Sequence, residues 1–222
     1  MSTDAILVIV ASDAGGTDRV APGAPLAGLP LLRRTVLAAA RAGWRPLVAG
    51  LPASAVRPWL AGTAAQVLAP GGPLPPPSPR RVLLLSMTVI PQLAWLRRLR
   101  EMPVEPERLY AYDASALVVE TAEPGAILAA AARCAGMGEA VTALRALFET
   151  VDRPAGAGDR FILASARDLP AAETWLLRSL IKPTEGFMSR HFERRISLAL
   201  TRSVSKNISR LTVFMRSMVK NI

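Results

Sequence analysis

"AILVIVASDAGGTDRV", from Ala5 to Val20, is the stretch whose reading decides the fold class. Its first part, Ala5–Ala11, is an unbroken apolar run that Ser12 and Asp13 end. A run this short, with no polar alternation, suits a strand covered on both faces rather than an amphipathic one. The Gly15–Gly16 pair then breaks any regular structure and gives the chain a tight, amide-rich loop. A buried parallel strand that feeds a glycine loop is the opening of an α/β unit.

Downstream, the pattern repeats. "LPLLRRTVLAAARAGW" places Leu32, Val36, Leu37 and Ala40 at helical spacing and stops at Gly43. "RPLVAGLP" from Arg45 reads as a second short strand, and "SAVRPWLAG" from Ser54 as a short helix. "QVLAPGGPLPPPSPR", Gln66–Arg80, is too proline-rich for a helix or a central strand and reads as a loop. "RVLLLSMTVI", Arg81–Ile90, is the strongest strand of the chain, and "PQLAWLRRLREM" follows it as a helix. "RLYAYDASALVVETA", Arg108–Ala122, has period-two character and reads as a strand pair. "GAILAAAARCAG" and "GEAVTALRALFETV" are Ala- and Leu-rich helices, and "ARDLPAAETWLLRSLI" is a further helix with Pro170 near its first turn. Strands that alternate with helices predict a three-layer α/β fold with a mostly parallel sheet.

Charge divides the chain. The formal net charge is +10 over 222 residues. From Trp175 to Ile222 there are ten Lys and Arg against two Glu, and all three lysines (Lys182, Lys206, Lys220) lie there. From Phe187 onward, Met188, Phe192, Ile196, Leu200, Val204, Ile208 and Leu211 recur every three or four residues, with Arg190, Arg194, Arg202 and Lys206 between them. This is the pattern of an amphipathic helix with a basic face, suited to an anionic membrane surface. Each Lys or Arg near such a surface contributes about 1 kcal/mol. Packing of the same helix on the body is the competing reading. Nucleic acid is not an expected partner, because aromatic interleaving and a known reading motif are both missing.

Several chemistries are excluded. One cysteine, Cys134, rules out an internal disulfide framework and a cysteine-cluster metal site, and reads as a small buried helix residue. The single His191 and the lack of G-x-S-x-G leave no Ser–His–Asp set. No Gly-Lys-Ser/Thr is present for a P-loop, and "AGGTDRV" lacks the third glycine of a dinucleotide fingerprint. With no signal-peptide pattern and no apolar run of about 18 residues, the expectation is a cytoplasmic chain, peripheral at the inner face of the cell membrane.

"WLLRSLIKPTEGFMSRHFERRISLALTR", Trp175–Arg202, resembles the junction segment of bifunctional enzymes that carry a CDP-alcohol phosphotransferase membrane domain, of the inositol-phosphate cytidylyltransferase and di-inositol-phosphate synthase type. Leu180, Lys182, Thr184, Glu185, Gly186, Phe187, Ser189, Arg190, Arg194, Arg195, Ile196 and Ser197 carry the likeness over about 28 residues. The resemblance implies that Lys182, Arg190, Arg194 and Arg195 contact phosphates or lipid head groups, with His191 a surface residue among them. It also implies a preceding cytosolic domain of nucleotidyltransferase (Rossmann-like) type. "VIVASDAGGTDRVAPGAPLAGLPLLRRTVLAAARAG" follows that order of strand, loop, element and helix, which puts Gly15, Gly16, Thr17 and Arg19 at the nucleotide.

This chain departs from the family at chemical positions. Ala24 stands where a lysine is expected, with Arg19 or Arg33 as substitutes, and Ser86 and Met87 stand where active relatives carry a metal-binding Asp. Asp152 and Asp168 are the remaining metal candidates, with Mg2+ as candidate cofactor and CTP or a CDP-alcohol as the substrate-type ligand. No Asp follows Asp168, so the acceptor-activating aspartates of the membrane domain are not in this sequence. The expectation is a degenerate nucleotidyltransferase-like domain over residues 1–172 and a basic amphipathic helical juxtamembrane segment over 173–222, cut before a membrane domain. Its expected partners are an anionic membrane surface or a membrane phosphotransferase domain, with a homodimer left open. The alternative is a non-catalytic domain that docks on a membrane or a partner.

Overall fold

In the computed structural model, residues 4–13, 20–72, 80–156 and 158–179 are described. The Ala5 run forms the central strand β1 (Asp4–Val10) of a seven-stranded sheet. On one side β1 pairs in parallel with β4 (Arg45–Ala49), which pairs in parallel with β5 (Gln66–Val67). On its other side lies β6 (Arg80–Ser86), also parallel. Beyond β6 come β9 (Ala116–Thr121), β8 (Arg108–Tyr112) and β10 (Glu149–Asp152). Only β9 runs against its neighbours, because it returns from β8 through the tight Asp113–Ser115 turn.

Alternation along these strands builds the three layers. Leu7 and Ile9 of β1, Leu83 and Leu85 of β6, and Val118 of β9 face one cluster. The helices α1 (Leu31–Arg41), α2 (Ala53–Leu60) and α3 (Leu93–Glu101) cover it with Leu32, Val36, Val56, Trp95 and Leu96. Ile6, Val8, Val82, Leu84 and Leu117 face the other way, onto α4 (Pro124–Arg133) and α5 (Met137–Arg145) through Ile127, Leu128 and Leu144. Both faces of the middle strands are therefore dry, which is why they read as continuous apolar runs. The expected three-layer α/β, mostly parallel, Rossmann-like architecture is what the chain adopts.

Outside the main sheet sit two small pairs. β2 (Pro25–Leu26) and β3 (Leu29–Pro30) form a hairpin, and β7 (Val89–Pro91) pairs antiparallel with β11 (Arg160–Ile162). A third cluster of Val20, Leu26, Leu31, Ile90, Leu163 and Ala172 joins them to the last described helix, α6 (Leu169–Ser179).

The structure corrects three sequence readings and adds a strand that was not read. The single strand expected over Arg81–Ile90 divides into β6 and β7, because the Ser86 and Thr88 hydroxyls bond each other at 2.9 Å across a turn. The helix expected through Val151 ends at Arg145, and Glu149–Asp152 instead completes the sheet edge as β10. Gln66–Val67, placed in a loop, is the short opposite edge strand. Arg160–Ile162 is a strand that the glycine-rich "RPAGAGD" run conceals. The expected boundary between residues 172 and 173 falls inside α6.

Candidate functional site

The strand order locates the place to look. From β1 the chain proceeds outward to β4 and β5, then crosses back to β6 on the other flank of β1. In open α/β sheets ligands bind at such a reversal, in the crevice outside the carboxyl ends of the strands. Here that rim comprises Ala11–Asp13 after β1, Ser86–Thr88 after β6, and Asp113–Ser115 after β8.

After β1, Asp13 turns towards α5. Its Oδ1 accepts the Gly138 N–H at 2.8 Å. A carboxylate at this helix start satisfies a donor with no intrahelical acceptor and complements the positive end of the dipole. Gly136 and Gly138 make room for it. A Cβ on Gly136 would lie 2.5 Å from Asp13 Oδ1, and one on Gly138 3.1 Å. Gly50, in the left-handed region at φ +72°, brings the end of β4 against Ala11 and the Cys134 carbonyl. Three chain segments thus meet where β1 ends.

After β6, Ser86 is buried and its hydroxyl is committed to Thr88. The Met87 side chain is buried in the cluster beneath α1–α3, while its N–H donates to the Val10 carbonyl at 2.8 Å. This is where the resemblance leads one to expect a metal-binding carboxylate, and the two residues present a satisfied hydroxyl and a buried thioether.

After β8, Asp113 takes φ +54° and its two oxygens are divided. Oδ1 accepts the Ser115 N–H at 2.8 Å, closing an Asx turn, and Oδ2 accepts from Arg160 Nη2. Arg160 also donates to the Tyr112 carbonyl and lies 5.1 Å from the Trp95 ring centroid. Arg160 Nε and Nη1 and the Ser115 hydroxyl are buried with no hydrogen-bond acceptor or donor among the described residues. The guanidinium rests on an aromatic face, which offsets part of that loss. Burial pushes the nearby Tyr112 phenol up, although the Arg153, Arg160 and Arg98 charges oppose it.

The candidate residues from the sequence divide into two groups. Gly15, Gly16, Thr17 and Arg19 lie outside the described residues, as do Lys182, Arg190, Arg194 and Arg195. Asp152 lies at the sheet edge, exposed and 3.2 Å from Arg145. Asp168 caps the turn before α6, where its Oδ2 accepts the Ala164 and Ser165 N–H groups at 2.8 and 2.9 Å. Arg33, the other suggested cation, donates to the Ala61 carbonyl. Cys134 is half-buried; burial and the Glu139 carboxylate push its thiol up, against the pull of Arg133. This is an environment for a structural thiol.

Among the described residues no group of three His, Cys, Asp or Glu side chains is placed to hold a metal ion. Nor is any helix of the described residues long and apolar enough to cross a membrane. Sequence reading missed Asp13, Asp113 and Arg160. The signal for Asp113 was present in "DAS", a turn tripeptide between two alternating runs, whereas the partners of Asp13 and Arg160 lie 125 and 47 residues away in the chain. No protein-family model matches this chain, and no curated protein does.

Proposed function

We propose that the α/β body, with α6 packed on it, is nucleotidyltransferase-like and does not turn over, and that the basic segment after α6 holds the body against an anionic membrane surface. The complete system in this reading is the cytosolic part of a CDP-alcohol phosphotransferase-type enzyme of phospholipid or polar head-group synthesis. Lys182, Arg190, Arg194 and Arg195 contact phosphates or lipid head groups there, at the inner face of the cell membrane. The three-layer sheet and the resemblance of Trp175–Arg202 support the family side of the reading.

One observation carries the loss of turnover: the carboxyl end of β6, at Ser86–Thr88, offers no carboxylate. Mg2+ binds through carboxylates, carbonyls and waters at close to octahedral geometry. Here the Ser86 hydroxyl is bonded to Thr88, and Met87 faces the core. The carboxylates nearest the rim serve the fold, Asp13 on the Gly138 amide and Asp113 on Ser115 and Arg160. The described residues therefore do not fit the metal that cytidylyl transfer would need, and no step is derived through it.

Two measurements test this. Full-length protein incubated with CTP, Mg2+ and a panel of sugar and inositol phosphates should release no pyrophosphate; release above the protein-free control would overturn the loss of turnover. Sedimentation with phosphatidylglycerol vesicles should carry the chain down, and the triple variant Arg190→Glu, Arg194→Glu, Arg195→Glu should stay in the supernatant. Equal sedimentation of both would remove the interfacial role of these arginines.

A further inference from the structure

The body carries its charge in two blocks. Between Asp18 and Glu101 the sequence holds eleven arginines and no acidic residue. From Glu101 to Glu173 the balance reverses, with twelve Asp and Glu against six Arg. The two blocks nearly cancel, so the net charge of the body conceals them.

The fold sorts these blocks onto different faces. Helices α1, α2 and α3, which cover one face of the sheet, come from the first block, and α4 and α5 on the other face come from the second. Together α1–α3 carry seven arginines against one carboxylate, Glu101 at the end of α3. The α4–α5 layer carries Arg133 and Arg145 against Glu139. Four of the seven arginines serve contacts inside the body. Arg33 donates to the Ala61 carbonyl, Arg34 to the Leu26 and Ala27 carbonyls, Arg98 pairs with Asp159, and the Arg100 guanidinium lies against Gly43. The other three, Arg41, Arg57 and Arg97, stand one on each helix, are exposed, and make no ion pair with any described residue.

Unpaired like charges on adjacent helices repel one another and cost stability. A negatively charged plane in front of all three helices turns that cost into attraction. We propose that the α1–α3 layer is the face the body turns to an anionic lipid surface, with Arg41, Arg57 and Arg97 close to the head-group phosphates and α4–α5 turned to water. The inference rests on the membrane reading above and adds an orientation to it. A bilayer suits the layer better than a nucleic acid does, because the charges are spread across three helices and no tryptophan is exposed for bases to stack on. Trp44 and Trp95 are buried beneath the layer, and Trp59 is half-buried against Gly23. The last described helix is joined to the same layer: Glu173 of α6 accepts the Ala27 N–H at 2.7 Å, and Ala172 packs in one cluster with Leu31, the first residue of α1.

Two measurements on the full chain test it. In the first, a Cys134→Ser background carries a fluorophore at Ala40→Cys on α1 or at Ala126→Cys on α4, both exposed positions. Phosphatidylglycerol vesicles that contain a head-group quencher should quench the α1 label several-fold more than the α4 label. Equal quenching, or stronger quenching on α4, overturns the orientation. In the second, the triple variant Arg41→Gln, Arg57→Gln, Arg97→Gln should lose on the order of a hundredfold in vesicle affinity, since each cation near such a surface is worth roughly fivefold. The pair Arg133→Gln, Arg145→Gln should lose less than about twofold, because those charges face away from the lipid. An unchanged affinity of the triple variant, in a chain that still sediments, overturns the face alone. A wild-type chain that does not sediment overturns the membrane reading and the orientation with it. Salt-sensitive retention on duplex DNA or RNA that the triple variant loses, without vesicle binding, would assign the face to nucleic acid and overturn the lipid proposal.

Discussion

The main sheet and the small assembly of β2–β3, β7–β11 and α6 are held by different physics. In the sheet, Ile6 to Val10 and Val82 to Leu85 are fully buried, with helices on both sides. Cohesion there comes from apolar area removed from water, about 25 cal/mol per Å2, spread over many neighbours. Among the described residues, the small assembly has six buried apolar residues at its centre. Side chains that reach main-chain groups position it instead: Glu173 and Arg34 on the hairpin, Asp168 before α6, and Arg160 on the β8–β9 turn. A region held by burial opens only with the whole domain, whereas a region held by a few hydrogen bonds can open locally. The difference teaches where motion can be put without endangering the fold.

The comparison breaks most visibly at its strong end. Leu84→Ala, in the middle of β6, should destabilise the whole domain by about 2–5 kcal/mol in denaturant titration, with one cooperative transition. A loss below 1 kcal/mol would mean that the centre is less tightly packed than its burial implies.

Arg81 sharpens the contrast, because it is a polar device inside the apolar region. Opposite Glu120 in the β6–β9 register, it forms the 2.7 Å ion pair and also donates to the Arg100 and Met102 carbonyls at 2.6 and 2.7 Å, where α3 ends. Arg81→Met should cost about 2–4 kcal/mol, since Glu120 and the helix-end carbonyls lose their donor together. A double-mutant cycle with Glu120→Gln then separates the ion pair from the capping of α3.

At the weak end the effects are smaller and local. Arg160→Met should cost about 1–2 kcal/mol and appear as faster exchange at Ser115 and across β7–β11, with β1 unaffected. Uniform loss of protection would show that the two regions unfold as one. Ala27→Gly should be the smallest change and of opposite sign, a gain of about 0.5–1 kcal/mol, because glycine relieves the left-handed strain and gives back part of that as chain entropy. A destabilised Ala27→Gly would mean that the methyl group, and not the backbone, is what the turn requires.

Much of the architecture was legible in the chain. The Ala5–Ala11 and Arg81–Ser86 runs announced buried strands because strands covered on both faces need no polar alternation. "RLYAYDASALVVETA" showed its strand pair through period-two character. The short strands β5 and β11, and the break that separates β7 from β6, were not legible, since two or three residues carry no period. They exist because a neighbouring strand offers free main-chain groups. Of the candidate site, Ser86 and Met87 could be read directly, whereas the roles of Asp13, Asp113 and Arg160 could not.

What the sequence determined by itself was therefore whatever depends on near neighbours in the chain: apolar runs, helix period, turn residues, and the concentration of charge after Trp175. Tertiary structure alone decided which distant groups meet. Asp13 finds the start of α5, Arg160 finds Asp113, and Glu173 finds the Ala27 amide only after the sheet has brought them together. The physical reason is that burial follows from local composition, whereas a hydrogen bond needs two specific atoms within about 3 Å, a condition that composition does not encode.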